Sequence, residues 1–257
     1  MDYWSKNSVA VFLVLFLSFL LEVTKKHKFH SMFQISNLEE ERDSIGSVLL
    51  VIAHPDDEIM FWTPTIKTFQ KYNITLKILC LSNGNYDGLG ELREKEFDDI
   101  SRELNLYYNQ LINVPELQDS IKQRWERSEV AKQIKEMIDS NSDIKTIITF
   151  DGNGVTKHPN HISCNDGLKY LLENNANDLK NKGVKVYFLD SFNFVFQYTF
   201  VLPFLNYFFK SYGYFSMTFF SSFKWMSYYK TQFTLMRKAH VILSGYSYFN
   251  SFTKYEY

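Results

Sequence analysis

The sequence is short of net charge and of cysteine, and each shortage excludes a class of protein. Its 28 Lys and Arg residues are balanced by 29 Asp and Glu residues, so the formal net charge at pH 7 is −1. Nucleic-acid-binding surfaces need an excess of basic side chains, so we expect no nucleic-acid partner. The two cysteines, Cys80 and Cys164, lie in or beside expected core elements, which argues against a disulfide framework and fits a reducing compartment.

A dinucleotide-binding fingerprint is also missing. No Gly-x-Gly-x-x-Gly follows the first expected strand, and the pair Gly152 and Gly154 is too little to replace it. We therefore expect no nucleotide cofactor. The chain is instead rich in aromatic residues, which make up 18% of its 257 positions, and many of them lie in the region 190–257.

Apolar runs alternate with helical patterns from residue 48 onward. Strands separated by helices predict an α/β fold, with a Rossmann-like and mostly parallel sheet flanked by helices. The expected strands are Val48–Ala53, Ile74–Leu81, Leu111–Val114, Ile144–Phe150 and Val184–Leu189, and the expected helices cover 58–72, 90–104, 122–139 and a segment that begins near Asn160.

The amino terminus carries a separate apolar segment. Val9–Leu21 is apolar except at Ser18. As a helix it would reach about 20 Å, which is short of the ~30 Å hydrocarbon core and fits either a cleaved signal peptide or an anchor extended by its flanks. No small-x-small cleavage site follows it, and Lys25 and Lys26 come after it, so the pattern favours an uncleaved anchor with the bulk of the chain on the cytoplasmic side.

These signals divide the chain into three parts. We expect a transmembrane anchor at 1–23, a polar linker at 24–46 and a catalytic domain at 47–257, of which 190–257 is the aromatic-rich part. Within that part, Phe192–Phe209 has the length of a second span, but Pro203 and several amides favour core-covering structure or a membrane-surface patch.

Two polar clusters follow two of the expected strands. His54 to Glu58 comes directly after the first strand, and His158 to His161 follows the strand that ends at Phe150. A single acidic run is usually a solvated helix start, and a single His-x-x-His is a weak signal. However, three of the six histidines fall in these two clusters, and parallel strands bring their carboxyl ends to one edge of a sheet. The sequence therefore predicts that both clusters converge on one metal ion.

The residue types in the clusters suit metal-assisted hydrolysis. A catalytic zinc has three protein ligands and an open position, and we expect His54, Asp57 and His161 to be the ligands. Asp56 then suits a general base, and His158 a group that binds the developing oxyanion or protonates the leaving amine. Two His and a carboxylate also suit Fe(II), so we expect Zn²⁺ or another divalent cation.

Two residues outside the clusters are candidates for substrate binding. Arg93 could pair with Glu96 along its own helix, or it could engage a phosphate or a sugar hydroxyl. Asp119 could cap the helix expected at 122–139, which its position favours, or it could contact the substrate.

These residues resemble the signature of a known family. The signature residues lie within roughly residues 47–190, and this part of the chain resembles the PIG-L family of zinc-dependent amino-sugar deacetylases. It consists of Ala53-His54-Pro55-Asp56-Asp57-Glu58, Gly84, Gly90, Arg93, Glu96, Asp119, Thr149-Phe150-Asp151-x-x-Gly154-Val155-Thr156 and His158-Pro159-Asn160-His161. Further on, the segment from Thr231 to Arg237 resembles a divergent form of a family Ser-Gln-aromatic segment, with Tyr229 where the family has a histidine.

The resemblance implies an activity and a place for it. It implies that His54, Asp57 and His161 bind zinc, that Asp56 is the general base with His158 as its partner, and that Arg93 contacts the substrate. The eukaryotic members that this chain most resembles remove the acetyl group of N-acetylglucosaminyl-phosphatidylinositol, in the second step of GPI-anchor synthesis. We therefore expect a metal-dependent hydrolase that uses water to cleave a glycolipid substrate. We expect it to be a single-pass protein of the endoplasmic reticulum membrane with its catalytic domain in the cytoplasm.

Two other functions compete with this expectation. The same chemistry would serve a deacetylase of a soluble amino-sugar conjugate, although the anchor and the aromatic region disfavour it. A catalytically inactive membrane scaffold is the alternative from another class. The presence of all five expected ligand and catalytic residues argues against it: His54, Asp56, Asp57, His158 and His161.

Overall fold

The computed structural model describes residues 46–106, 108–199, 212–215 and 218–257. The anchor expected at 1–23 and all but the last residue of the linker expected at 24–46 lie outside these residues. Among the residues that are described, no helix has both the length and the apolar character needed to cross a bilayer.

Seven strands and eight helices make up the regular structure of the described residues. The strands are β1 (Ser47–Ile52), β2 (Leu76–Cys80), β3 (Asn109–Leu111), β4 (Ile144–Phe150), β5 (Lys185–Leu189), β6 (Tyr212–Phe215) and β7 (Phe249–Lys254). The helices are α1 (Asp57–Lys71), α2 (Gly90–Glu103), α3 (Arg127–Asp139), α4 (Gly154–Lys157), α5 (Pro159–Asn181), α6 (Phe194–Gln197), α7 (Phe219–Met226) and α8 (Leu235–Leu243).

The strands form one sheet in the order β3-β2-β1-β4-β5-β7-β6. The first five are parallel, whereas β7 runs antiparallel to β5 and β6 runs antiparallel to β7. The mixed α/β fold predicted from the alternating pattern is therefore confirmed, and the aromatic-rich region adds the two antiparallel strands. The chain order reverses between β1 and β4, which is where open α/β sheets form a crevice at their carboxyl ends.

The centre of the sheet is apolar along its whole length. Every residue of β1 is buried, and Val48 to Ile52 have no exposed surface. A strand that is covered on both faces carries a continuous apolar run, which is why β1 and β4 could be read directly from the sequence. Cys80 and Cys164 are buried in this core as free thiols.

Three expectations for the middle of the chain were wrong. The helix expected from residue 122 begins only at Arg127, because the preceding loop is held by Trp125, whose backbone N–H donates to Ser163 Oγ at 2.9 Å. Its N-cap is Glu126, so Asp119 does not cap it. The short strand expected at 111–114 lies at Asn109–Leu111, where it pairs with β2.

Helix α1 contains Pro64, and the aromatic-rich region supplies partners for the backbone groups that this proline leaves unpaired. A proline removes one N–H and disturbs the pairing of the preceding turn. The Asn250 side chain fills the gap, since its Nδ2 donates to Phe61 O at 2.7 Å and its Oδ1 accepts from Thr65 N at 3.3 Å. The carbonyl of Met60, which a proline at position 64 cannot reach, accepts instead from a ring nitrogen of His240 at 3.3 Å.

The aromatic-rich region is thus part of the fold where the structure describes it. Phe192 is buried, whereas Phe194 and Val195 in α6 are 78% and 62% exposed. The remainder of the possible span at 192–209, from residue 200 onward, lies outside the described residues. Phe192 therefore belongs to the core, and whether the exposed side chains of α6 contact a membrane stays a prediction.

We predict that Asn250→Ala lowers the free energy of unfolding by about 3 kcal/mol, because buried backbone groups of α1 lose their partners. In a Pro64→Ala background the helix can pair Thr65 with Phe61 itself, so the same substitution should cost about 1 kcal/mol. Urea denaturation of the four proteins measures both values. Asn113→Ala, at an exposed amide, is the control and should change stability by about 0.5 kcal/mol or less. An equal cost of Asn250→Ala in both backgrounds would contradict the bridging role.

Candidate active site

The two loops that carry the polar clusters leave the sheet side by side and are both strained. Asp56, directly before α1, has a φ of 105°, and Val155 and Lys157, just before the second cluster, have φ values of 59° and 61°. All three values lie in the region that side chains other than glycine rarely adopt. Backbone strain of this kind persists only where the surroundings impose it, and it concentrates at functional sites.

Asp57 joins the two clusters. Its Oδ2 accepts backbone N–H groups from Ala53 and His54 at 3.1 and 2.9 Å, which sets the direction of the carboxylate. Its Oδ1 lies 3.1 Å from His161 Nε2, and its Oδ2 lies 3.8 Å from His54 Nδ1. All three side chains are buried. The structure therefore brings together the three residues predicted to bind the metal.

The far side of each imidazole is held by a hydrogen-bond partner. His161 Nδ1 lies 3.0 Å from Gly154 O, and its ring stacks on Phe150 with 4.3 Å between the centroids. His54 Nε2 lies 3.2 Å from Asp119 Oδ1 and 3.1 Å from Asn160 Oδ1. Metal-binding histidines are oriented by such contacts, which leave the other ring nitrogen free to ligate.

The electrostatics of this cluster favour a positive charge. Although burial opposes it, the hydrogen bond that the His54 ring donates to Asp119 and the charge of Asp57 raise the pKa of His54. Although burial opposes ionisation here too, the neighbouring His161 and His54 hold the pKa of Asp57 well below its usual range. Buried imidazoles beside an ionised carboxylate match the ligand set of a divalent cation, so the residues present fit a metal.

His158 offers a second way to complete a metal site. One ring nitrogen each from His54, His158 and His161 lie within 4.8 Å of one another. However, His158 Nδ1 accepts the Asn160 N–H at 3.3 Å and so caps α5. Burial, followed by the neighbouring imidazoles, lowers the pKa of His158 to about 4, so the ring is neutral.

Asp56 lies between two guanidinium groups. Its Oδ1 is 3.4 Å from Arg93 Nη2, and its Oδ2 accepts from Arg237 Nε at 2.9 Å. Burial raises the pKa of Asp56, although both arginines oppose the shift. A carboxylate with a raised pKa accepts a proton more readily, as the predicted general base must.

The two predicted substrate-binding residues line the same cavity but have protein partners. Arg93 donates from Nη1 to Gly84 O at 2.9 Å and from Nη2 to Pro55 O at 2.5 Å. Asp119 contacts His54 and lies 3.9 Å from Arg93. Their contact with substrate stays a prediction. In the structure, Arg93 holds the loop after β1 and Asp119 holds the His54 ring.

The region from Tyr229 to Arg237 closes the site. Sequence analysis assigned no role to this region. The Tyr229 hydroxyl donates to Glu58 Oε1, and the Thr231 backbone N–H donates to Glu96 Oε1 at 2.8 Å. Burial raises the pKa of Glu58 to about 8, which favours its neutral form beside Asp57. Tyr229, at the position where the resemblance leads us to expect a histidine, was the signal that could have indicated this role, because a tyrosine also supplies a hydrogen-bond donor.

These groups surround a cavity of about 330 Å³ at the switch point of the sheet. This volume is at the small end of ligand pockets, so it suits a sugar and not a diacyl lipid. Among its lining residues are the two clusters, both arginines, Met60, Phe61 and Gln232, with Tyr86 and Ile121 exposed at the surface.

Comparison with known proteins relates the chain to enzymes of one kind. A Dictyostelium discoideum protein called probable N-acetylglucosaminyl-phosphatidylinositol de-N-acetylase is 36% identical over 79% of this chain and 91% of its own length. A Schizosaccharomyces pombe protein of the same name is 37% identical over 63% of this chain. That second alignment spans 64% of the relative's own length, which is less than two thirds.

Solved structures show the same fold at low identity. The N,N'-diacetylchitobiose deacetylase of Pyrococcus horikoshii is 15% identical, with a TM-score of 0.58 over 86% of this chain and 89% of that one. The family model described as PIG-L, GlcNAc-PI de-N-acetylase, matches residues 49–171, which include both clusters. With a relative that matches over most of both lengths, and with the matched residues gathered around one cavity, the chain belongs to the PIG-L family.

Proposed function

We propose that this chain hydrolyses the acetamide of N-acetylglucosaminyl-phosphatidylinositol to glucosaminyl-phosphatidylinositol and acetate, the second step of GPI-anchor synthesis. The observation that carries the proposal is the contact of Asp57 with both His54 and His161 in a cavity of sugar size. The names of the relatives support the choice of substrate.

The ligand set we propose is His54, Asp57 and His161. Asp57 is within 4 Å of both histidines, whereas His158 already uses its Nδ1 to cap α5. A divalent cation bound there would polarise the acetamide carbonyl and acidify water. The donor set suits Zn²⁺, which we propose as the ion.

The general base acts beside the ligands. Asp56 accepts a proton from the attacking water, whose oxygen bonds to the acetamide carbon. The protonated Asp56 then returns this proton to the glucosamine nitrogen as the C–N bond breaks, so the products are acetate and the free amine. Arg93 and Arg237 hold the carboxylate in place through both steps.

His158 supplies a hydrogen bond to the reacting carbonyl. Because its Nδ1 accepts the Asn160 N–H, the proton of the neutral ring lies on Nε2. A neutral Nε2–H is a donor for the oxygen that becomes negative during attack. The low pKa of His158 disfavours the alternative role as acid for the leaving amine.

The membrane setting is the part of the proposal supported only by sequence. The apolar segment Val9–Leu21 and the lysines that follow it support a single-pass protein of the endoplasmic reticulum membrane, with its catalytic domain in the cytoplasm. A lipid substrate is consistent with that setting.

We predict that Asp56→Asn lowers the rate of acetate release from N-acetylglucosaminyl-phosphatidylinositol by about 100- to 10,000-fold, because the general base is lost while the shape is kept. Acetate release from membranes that contain the full chain measures this. Asp98→Asn, an exposed acid of α2, is the matched control and should keep the wild-type rate. An active Asp56→Asn variant would remove Asp56 as base. A wild type that hydrolyses only a soluble N-acetylglucosamine conjugate would replace the lipid substrate.

We predict that Asp57→Asn and His158→Asn separate metal binding from catalysis. Asp57→Asn should lose most of the bound metal, because the ionised ligand is removed. His158→Asn can still cap α5, so it should keep the metal and lose about 100-fold in rate with the oxyanion donor. Metal content per chain, by mass spectrometry of the purified proteins, and acetate release measure the two effects. If Asp57→Asn keeps the metal and His158→Asn loses it, the three histidines are the ligands. A folded wild type without metal would favour the catalytically inactive membrane scaffold.

A further inference from the structure

Arg237 lines the cavity from α8, outside the two polar clusters. It is the third residue of α8, and its Nε donates to Asp56 Oδ2 at 2.9 Å. Its side chain is 34% exposed, compared with 7% for Arg93. Arg237 therefore lies nearer to the opening of the cavity, and Arg93 lies at its floor.

The two guanidinium groups differ in what they have left to donate. Both terminal nitrogens of Arg93 donate to backbone carbonyls, at Gly84 and Pro55. Among the described residues, neither terminal nitrogen of Arg237 donates a hydrogen bond to the protein, and only its Nε is engaged. A planar fork of two N–H donors, 34% exposed at the mouth of a cavity, matches two oxygens of a phosphate group.

The cavity determines which part of a glycolipid meets this fork. Its volume of about 330 Å³ accommodates the amino sugar, and the acetamide must face the histidines and Asp57. The inositol and its phosphodiester then extend toward the opening. The phosphodiester is the only anion of the substrate, and among the described residues that line the cavity Arg237 is the more exposed of the two cations.

We propose that Arg237 binds the phosphodiester of the substrate and so selects phosphorylated inositol conjugates over neutral ones. This inference rests on the proposed function and names the group that determines specificity within it. Arg237 can keep its Nε on Asp56 while its two terminal nitrogens bind phosphate oxygens. One side chain would then link recognition of the headgroup to the position of the general base.

A positioning role for Arg237 through Asp56 makes a different prediction. If the guanidinium acted only on Asp56, its loss would slow every substrate equally, because each one needs the base. If it also binds the phosphodiester, its loss costs substrates that carry one more than substrates that lack one, and the additional loss is mainly in KM.

Two water-soluble substrates separate these roles. One is N-acetylglucosaminyl-inositol phosphoglycerol, and the other is N-acetylglucosaminyl-inositol without the phosphodiester. The wild-type full chain should favour the first in kcat/KM by about tenfold to a hundredfold, the size expected for hydrogen bonds to a charged group. Arg237→Gln should abolish this ratio through KM, and Arg237→Lys should keep part of it because the charge remains without the fork. Since neither substrate needs a membrane, bulk anionic lipid does not contribute to the ratio.

Lys238→Gln is the matched control on the same helix. Lys238 lies with its Nζ 4.4 Å from the centre of the Phe233 ring, and its loss removes the same charge without touching the cavity, so the ratio should stay at the wild-type value. Equal losses on both substrates in Arg237→Gln, no preference in the wild type, or an equal effect of Lys238→Gln would each overturn the inference. Wild-type hydrolysis of neither soluble substrate nor the lipid would instead overturn the proposed function.

Discussion

The arrangement of the site depends on one buried carboxylate whose direction is set by the backbone. Asp57 takes two N–H groups at the point where β1 ends, and its remaining oxygen faces His161 from the other loop. A side chain held in this way cannot turn to solvent, so the two histidines meet it at fixed positions. The parallel pairing of β1 with β4 makes this possible, because both loops leave the same edge of the sheet. The strained conformation of Asp56 is the local cost of that junction.

The aromatic-rich region stabilises this junction from a distance in sequence. Asn250 and His240 replace the hydrogen bonds that Pro64 removes from α1, the helix that begins at Asp57. Burial lowers the pKa of His240 to about 4, so the ring stays neutral and can accept at one nitrogen while it donates at the other. Arg237 of the same region donates to Asp56, the proposed general base. The loop that carries His54 to Asp57 and the region after residue 190 therefore form one structural unit. A change in either is expected to affect the other.

Prediction from sequence succeeded where burial leaves a continuous pattern. The expected bounds of β4 agree with the structure, and those of β1 differ by one residue at each end, because strands covered on both faces show as unbroken apolar runs. The start of α3 was wrong by five residues, since the backbone of Trp125 is bound by Ser163 from another helix. Asp119 illustrates the same limit: it has the sequence position of a helix cap, but its partner is His54. Local spacing does not contain such long-range contacts.

The sequence by itself determined the class of fold, the two polar clusters and the residue types that a metal site needs, because these follow from periodicity and local spacing. Only the tertiary structure decided which atoms meet. It showed that Asp57 joins the clusters, that His158 presents one nitrogen to a helix and one to the cavity, and that Arg237 donates to Asp56. The physical reason is that hydrogen bonds and ion pairs form between side chains brought close by the order of strands in the sheet, and that order links positions up to 189 residues apart along the chain.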